Sequence, residues 1–165
     1  MIMISGTISV HDYMQAHCLH RKAVHAWALA IGAVILSVGV ALLAYGQLKV
    51  GLIAVCAGVG SLVGELFVAY VVLPRKVKKL HGQQKALSEA FTYSWDRDHI
   101  EAKGSSGPSR RAWGDYCKIK ESEHIFLLYH ADNLFEMLPK AWFKSESMVA
   151  EFRRHANAAA RSGAA

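Results

Sequence analysis

Two long apolar runs near the start of the chain constrain its fold more than any other feature. Residues 26–45 carry no charge across 20 positions, and residues 50–73 carry only Glu65 across 24. A helix that rises about 1.5 Å per residue needs about 20 apolar residues to cross a hydrocarbon layer of about 30 Å. A chain of 165 residues is too short to bury two such helices on every side. The runs therefore predict two membrane-spanning helices.

The segment between the runs, GQLK, leaves room only for a tight turn, so the helices form a hairpin over residues 26–73. Basic residues flank both outer ends of this hairpin, whereas the turn carries Lys49 alone. The positive-inside rule then places both termini in the cytoplasm. The flanking basic residues are predicted to contact anionic lipid head groups; they are Arg21, Lys22, Arg75, Lys76, Lys78 and Lys79.

The net charge of +6 is partly explained by these flanking residues. The remaining arginines of the soluble part are too scattered to form the basic stripe that a nucleic-acid partner requires, so none is predicted. The three cysteines are far apart and odd in number, which argues against a disulfide framework or a zinc site.

Small residues follow one face of the second run at helical spacing, and Glu65 belongs to that face. The face comprises Ala54, Ala57, Gly58, Ser61, Gly64, Glu65 and Ala69, with Gly60 at its edge. A similar stripe in the first run comprises Ala30, Ala33, Ser37, Ala41 and Ala44. Small residues allow helices to approach closely, so the stripes are predicted to face each other. Glu65 would then lie about 12 Å deep, with Ser37 and Ser61 as hydrogen-bond partners.

A carboxylate at that depth must be neutral or face a partner, because an unpaired charge is costly there. Three interpretations stay open. Glu65 is a protonated residue that fixes helix register within the hairpin or between protomers, a proton- or ion-coupling site in a homo-oligomer, or a contact with another membrane protein.

The rest of the chain predicts an α+β membrane protein. Residues 1–25 contain a strand over 3–10 and a juxtamembrane helix capped by Ser9 or Asp12, which runs into the first span. Pro74 is expected to end the second span, and residues 74–89 form a basic helix. Residues 90–165 contain about five strands, a flexible loop over 104–109, and a C-terminal helix capped by Ser145. The first strand is expected to join the later sheet.

Nine histidines raise the question of a metal site, and His17 and His20 lie one helical turn apart. Three or four ligands must converge to hold a metal ion, and Cys18 lies on another face. Cys117 is interpreted as a core residue and not a nucleophile. We therefore predict no metal, cofactor or catalytic residue.

Five segments along the chain form a characteristic set: DYMQAH before the spans, PRKVKK after them, AWGDYCKIKE, HIFLLYHADNLFEMLPKAWF and SESMVAEFRRH. Together they resemble the YcxB-like bacterial membrane protein family. The most specific positions are Trp113, Pro139, Lys140 and Phe143. The resemblance implies two membrane helices and a soluble β-rich C-terminal domain similar to pleckstrin-homology-like domains. Together with the cytoplasmic termini, this leads us to expect a protein of the bacterial inner membrane with a cytoplasmic β-rich domain. The resemblance implies no catalytic residues.

These features lead to three hypotheses for function. The first is a non-enzymatic membrane-anchored interaction or regulatory module that binds a protein partner through a sheet edge. The second is an immunity or protector protein against a membrane-active toxin. The third is a homo-oligomeric ion- or proton-coupled unit that uses Glu65.

Overall fold

The computed structural model describes residues 2–83, 89–104 and 107–162. The chain divides into two compact units. His20–Lys78 form a helical unit, and Met1–Leu19 together with Lys79–Ala165 form an α+β unit. The predicted hairpin, residues 26–73, lies within the helical unit.

Two antiparallel helices make up most of the helical unit. Helix α1 (Val10–Ala44) enters it from the α+β unit without a break, as predicted, and α2 (Leu48–Phe67) returns after a short turn. Gly46 adopts φ +80° in that turn, a left-handed conformation that favours glycine. Both helices are long and apolar enough to cross a membrane.

The second helix does not end at Pro74, and this prediction was wrong. A π-helical turn at Val68–Val72 follows α2, and α3 (Leu73–Gln83) continues the same helix through the proline. Proline has no N–H and its ring crowds the carbonyl four residues earlier. The wider π turn directly before Pro74 gives that ring space, which explains why the helix continues. Residues 84–88 of the predicted extension lie outside the described residues.

The N-terminal strand joins the later sheet, as expected from its alternating pattern. Strand β1 (Ile2–Gly6) pairs antiparallel with β2 (Phe91–Trp95), with Ile4 opposite Tyr93. The order continues through β3 (His99–Gly104) to β4 (Gly107–Ala112). Strand β1, the part of α1 up to Leu19 and the strands that follow α3 therefore belong to one folded unit.

Six strands follow the helices in the described residues, one more than the sequence predicts, because β4 occupies part of the expected loop. Its sequence, GPSRRA, does not alternate apolar and polar residues. The segment is a strand because its backbone pairs with β3. Pro108 is compatible with a strand there because β4 lies at the edge of the sheet. Residues 105 and 106 of the predicted loop lie outside the described residues.

A second antiparallel sheet contains β5 (Lys118–Glu121), β6 (Ile125–Ala131) and β7 (Leu134–Pro139). The segment before β5, predicted as strand, instead forms a 3₁₀ turn at Trp113–Asp115. The central strand β6 is apolar and buried from its first residue through Tyr129.

Helix α4 (Glu146–Ser162) covers the apolar core of the α+β unit. Ser145 Oγ accepts a hydrogen bond from the Met148 N–H, which confirms the predicted cap. Phe152 is fully buried and stacks edge-on against Trp95, Trp113 and Phe143 at centroid distances of 5.1–5.5 Å. Burial of each such side chain contributes about 1.5–3 kcal/mol.

A capping box starts α1. Ser9 Oγ accepts from the Asp12 N–H at 3.1 Å, and the Asp12 carboxylate accepts from the Ser9 N–H at 3.0 Å. Two backbone donors that the helix leaves unpaired are satisfied in this way. Of the two residues proposed as cap, Ser9 is therefore the N-cap.

Candidate functional sites

Glu65 lies against two cationic or titratable side chains from α1. Its Oε1 is 2.7 Å from Nδ1 of His25 and 3.8 Å from Nη2 of Arg21. The Glu65 side chain is only 16% exposed, whereas those of Arg21 and His25 are about one-third exposed. Residues 21 and 25 lie one turn apart on the same face of α1, so both reach one carboxylate. The site is an ion-pair cluster that joins the two helices.

The predicted serine partners do not bind Glu65. Ser37 Oγ donates to the carbonyl of Ala33 in its own helix at 2.8 Å. This is the common local hydrogen bond of a helical serine. Ser61 is exposed and lies near Gly32, where a Cβ atom would be 3.3 Å from its hydroxyl. The longer side chains of Arg21 and His25 reach Glu65 instead.

The helix contact places glycines opposite leucines and a valine, and not two small stripes opposite each other. A Cβ added to Gly58 would lie 2.7 Å from the backbone of Leu36, and one added to Gly32 would lie 2.9 Å from Leu62. Gly39 and Gly51 are equally close to the opposite helix. Each glycine contacts a larger residue of the opposite helix. Because glycine has no side chain, the two backbones can approach closely at these points.

Most other residues predicted to pack in the hairpin lie on its outer surface. Gly58 belongs to the contact, but a Cβ at Gly60 or Gly64 would meet no atom within 4 Å. Ala33 and Ala41 are exposed. The prediction that these four residues join the two helices was therefore wrong, because the leucines occupy the contact.

The basic residues that flank the hairpin are mostly exposed. Lys22, Arg75, Lys76, Lys78 and Lys79 are exposed, so their charges are available to a ligand or surface. Arg21 is half-buried and directed to Glu65. It therefore differs from the others, since the carboxylate partly neutralises it.

A second cluster, which the sequence analysis missed, surrounds Glu136 in the α+β unit. The Tyr116 hydroxyl donates to Glu136 Oε2 at 3.2 Å, and His130 Nε2 lies 2.9 Å from Oε1. Arg111 Nε lies 3.7 Å from the same oxygen. Because Arg111 belongs to β4 while His130 and Glu136 belong to β6 and β7, this cluster links the two sheets.

Burial controls the protonation of the tyrosine in this cluster. Burial first, and the Glu136 carboxylate second, raise the pKa of Tyr116 far above its usual range. The phenol therefore stays protonated and can donate its hydrogen bond. His130 Nδ1 is buried and has no hydrogen-bond partner among the described residues. No local motif reveals the cluster, because Arg111, Tyr116, His130 and Glu136 meet only in the folded unit.

The histidines and cysteines do not converge on a metal site in the described part of the chain. His17 stacks edge-on against Tyr13 at a centroid distance of 4.7 Å. Cys117 donates its thiol hydrogen to the Tyr129 carbonyl at a sulfur–oxygen distance of 3.3 Å. Cys117 is exposed, so the interpretation of this cysteine as a core residue was wrong.

The four motif positions lie around the C-terminal helix. Trp113 Nε1 donates to the Asp96 carbonyl at 3.1 Å, and its ring packs on Phe152. Phe143 packs between Trp95 and Phe126 at centroid distances of 5.8 and 6.0 Å. Pro139 ends β7 as a buried residue, and Lys140 follows it.

Comparison with known families identifies this part of the chain. The family model described as YcxB-like protein matches residues 95–156. Residues 95–156 form a YcxB-like domain. They span the end of β2 to the middle of α4, and they follow the two apolar helices. No curated protein and no solved structure matches the chain.

An ion-pair network holds one side of the YcxB-like domain. Glu121 on β5 accepts from Nζ of Lys140 at 2.6 Å and from Arg153 on α4 through Nε and Nη2 at 2.6–3.0 Å. The Arg153 hydrogen bonds first, and Lys140 after them, lower the pKa of Glu121. Lys140 also lies 4.9 Å from the centre of the Phe126 ring. The motif lysine thus contacts both the network and the core.

Proposed function

We propose that this chain is a non-enzymatic integral protein of the bacterial inner membrane. Its two apolar helices anchor a YcxB-like domain, with both termini in the cytoplasm, and the α+β unit that contains this domain binds a protein partner. The observation that carries this proposal is the exposed apolar surface of the helical unit. Large apolar side chains exposed there include Ile31, Val34, Val38, Leu52, Ile53, Val59, Val63 and Phe67. In water this surface would be unfavourable, whereas lipid solvates it.

The pairing of the helices supports a location of Glu65 near the cytoplasmic edge of the bilayer. Glu65 lies 18 residues beyond Gln47 in the turn. That distance is about 27 Å along the helix, in a hydrocarbon layer of about 30 Å. The count from the turn therefore supports a position closer to the cytoplasmic head groups. The earlier count, made from the sequence alone, gave a depth of about 12 Å. Charged partners such as Arg21 cost less free energy at that level.

A pleckstrin-homology-like fold is also part of this proposal. Two antiparallel sheets of four and three strands, followed by a C-terminal helix that covers the core, support it. A fold of this kind offers sheet edges and loops for binding, but the fold alone does not assign a function.

Strand β1 is the edge that we propose for the partner. Among the described residues its backbone pairs with β2 alone, and its sequence, IMISG, has no charge or proline. The edges β4, β5 and β7 all carry charged residues, which commonly prevent strand addition. Met3 on β1 is 60% exposed. An extended partner segment could add to this edge by backbone hydrogen bonds.

Site-specific photo-crosslinking in living cells tests this proposal. A photoreactive residue at Met3 is expected to give a discrete adduct with another protein, whereas the same residue at Asn157, exposed on α4, should give none. Equal adducts at both positions, or none at Met3, would contradict binding at the β1 edge. Adducts of the chain with itself alone would contradict a separate partner.

A second candidate function is a homo-oligomeric ion- or proton-coupled unit. The close contact between Glu65 and His25 favours it, because both groups can exchange a proton. In a proteoliposome flux assay, Glu65→Gln should abolish transport if this candidate is correct. Flux equal to that of the wild type would exclude coupling through Glu65.

A further inference from the structure

Helix α3 carries four basic side chains whose charges the fold itself does not use. All four are exposed; they are Arg75, Lys76, Lys78 and Lys79. Within the described residues none of them forms an ion pair, and the ion pairs of the helical unit are those of Glu65 with Arg21 and His25. No acidic residue occurs between Glu65 and Glu89. This stretch of chain therefore contains no negative charge that could compensate the four positive ones.

The four basic residues share one side of an amphipathic helix. Successive residues of an α-helix are about 100° apart around its axis, which places the four within an arc of about 160°. Val77, on the opposite side, is only 1% exposed, and Leu73 and Leu80 near it are half-buried. Helix α3 thus buries its apolar side and leaves a basic face, formed by these four residues, open to its surroundings.

The distance from the hairpin turn places this basic face at a membrane surface. Helix α3 continues α2 through the π turn without a break. Arg75 and Lys79 lie 28 and 32 residues beyond Gln47, which is about 42–48 Å along the helix. A bilayer with its head groups is about 40–45 Å thick. The basic face therefore lies at the edge of the cytoplasmic head groups, within the Debye length of about 8 Å over which their charge acts.

The basic residues of α1 differ from those of α3. Nη2 of Arg21 lies 3.8 Å from Glu65 Oε1, so its charge is partly neutralised within the hairpin. Lys22 is then the one fully exposed cation before the first span in the described part of α1. The free positive charge of the helical hairpin is thus concentrated on α3, and lipid phosphates are the complementary charges at that level.

We propose that the basic face of α3 is a docking surface for anionic phospholipid head groups of the cytoplasmic leaflet. The lysine ammonium groups and the Arg75 guanidinium contact the lipid phosphates, and the buried apolar side fixes the orientation of the helix. The ligand is a lipid and not a soluble phosphate, because the face lies at the bilayer surface. This inference rests on the proposed membrane location, but it does not depend on partner binding at β1.

Native mass spectrometry of the full chain in detergent measures the lipid preference. Phosphatidylglycerol, which is anionic, and phosphatidylcholine, which has no net charge, are titrated separately, and the bound lipids are counted. Phosphatidylglycerol should bind at least about tenfold more tightly. Equal affinities would overturn the proposal. Glycerol 3-phosphate, which lacks acyl chains, should not displace phosphatidylglycerol at equal concentration, and displacement would overturn a lipid as the ligand.

Two variants at the same positions separate the effect of charge from an effect on folding. Lys76→Gln combined with Lys78→Gln and Lys79→Gln should weaken phosphatidylglycerol binding at least about tenfold. Lys76→Arg combined with Lys78→Arg and Lys79→Arg keeps the charge, and its affinity should stay within about twofold of the wild type. Equal losses in the two variants would show a structural effect and overturn the docking surface.

A charge-matched control lies in the α+β unit. Lys118→Gln combined with Lys144→Gln and Arg154→Gln removes three positive charges at exposed positions. Its affinity for phosphatidylglycerol should stay within about twofold of the wild type. A loss as large as that of the glutamine variant of α3 would show nonspecific attraction and overturn the site.

Detergent removal distinguishes a failure of this proposal from a failure of the membrane location. A chain that stays in solution without detergent or lipid would contradict the membrane location and the docking surface together. A chain that needs detergent or a nanodisc to stay dispersed, but binds both lipids equally, would overturn the docking surface alone.

Discussion

Nδ1 of His25 lies 2.7 Å from Oε1 of Glu65, and this contact joins the two helices of the hairpin. It gives the single carboxylate of the second apolar run a partner within the same chain. Arg21 lies 3.8 Å from the same oxygen and adds a positive charge. The arrangement favours the interpretation that Glu65 fixes helix register within one hairpin.

A double-mutant cycle measures the strength of this contact. We expect His25→Asn and Glu65→Gln each to destabilise the hairpin, with a coupling energy of about 1 kcal/mol between them. The measurement is SDS-induced unfolding in mixed micelles, followed by energy transfer between dyes at residues 24 and 67. Ser37→Ala should change little, since Ser37 bonds only its own helix in the described contacts. A loss for Ser37→Ala equal to that for Glu65→Gln would contradict this account.

Two glycines of the second helix should respond in opposite ways to alanine. At Gly58 a Cβ would lie 2.7 Å from the Leu36 backbone, so Gly58→Ala should separate the helices and destabilise the hairpin by about 1–3 kcal/mol. At Gly60 a Cβ meets no atom within 4 Å, and Gly60→Ala should be neutral or slightly stabilising. The same unfolding assay checks both variants. Greater damage from Gly60→Ala would indicate packing between protomers instead.

Gly6 provides a comparable test in the α+β unit. A Cβ there would overlap the Trp142 ring, and the two residues hold the end of β1 against the turn after β7. Gly6→Ala should therefore lower the melting temperature, measured by near-ultraviolet circular dichroism of the full chain. Gly114→Ala, with open space around it, is the matched control and should melt close to the wild type. Equal melting temperatures for the two variants would show that Gly6 is not closely packed.

The Glu121 network should make stability depend on pH in a defined direction. Arg153 and then Lys140 lower the pKa of Glu121 from its ordinary 4.5, so the folded state binds this proton less readily than the unfolded state. The stabilisation is complete above pH 4.5 and is lost as the pH falls through the lowered pKa.

Thermal melting of the full chain checks this direction. Glu121→Gln should melt about 2–5 °C below the wild type at pH 7, and this difference should shrink below the ordinary pKa of glutamate. A difference that grows as the pH falls would contradict the assignment. Glu123→Gln serves as a control acidic substitution two residues away.

Periodicity and composition were sufficient to predict the main elements of the fold. The two apolar runs predicted the antiparallel helices, alternation predicted β1 and its return to the sheet, and the apolar face of α4 predicted its burial. Strand β4 was missed because GPSRRA has no alternation, and its structure depends on a distant pairing with β3.

The sequence identified Glu65 as a site residue but not its partners. The prediction assumed that small residues face small residues, whereas Gly32, Gly51 and Gly58 face leucines of the opposite helix and Gly39 faces Val55. That register brings Arg21 and His25, which both lie just before the first apolar run, to the carboxylate. The Glu136 cluster escaped prediction for a related reason, since its members lie on several strands and meet only after both sheets form.

Membrane topology in cells tests the central claim most directly. Single cysteines at Gln47 and Lys144, in a chain whose three native cysteines are replaced, are labelled with a membrane-impermeant maleimide before and after permeabilisation. We expect Gln47→Cys to react in intact cells whose outer membrane is permeable, and Lys144→Cys to react only after the inner membrane is opened. Labelling of Lys144→Cys in intact cells, or recovery of the protein in the soluble fraction, would contradict a cytoplasmic domain on a membrane-spanning hairpin.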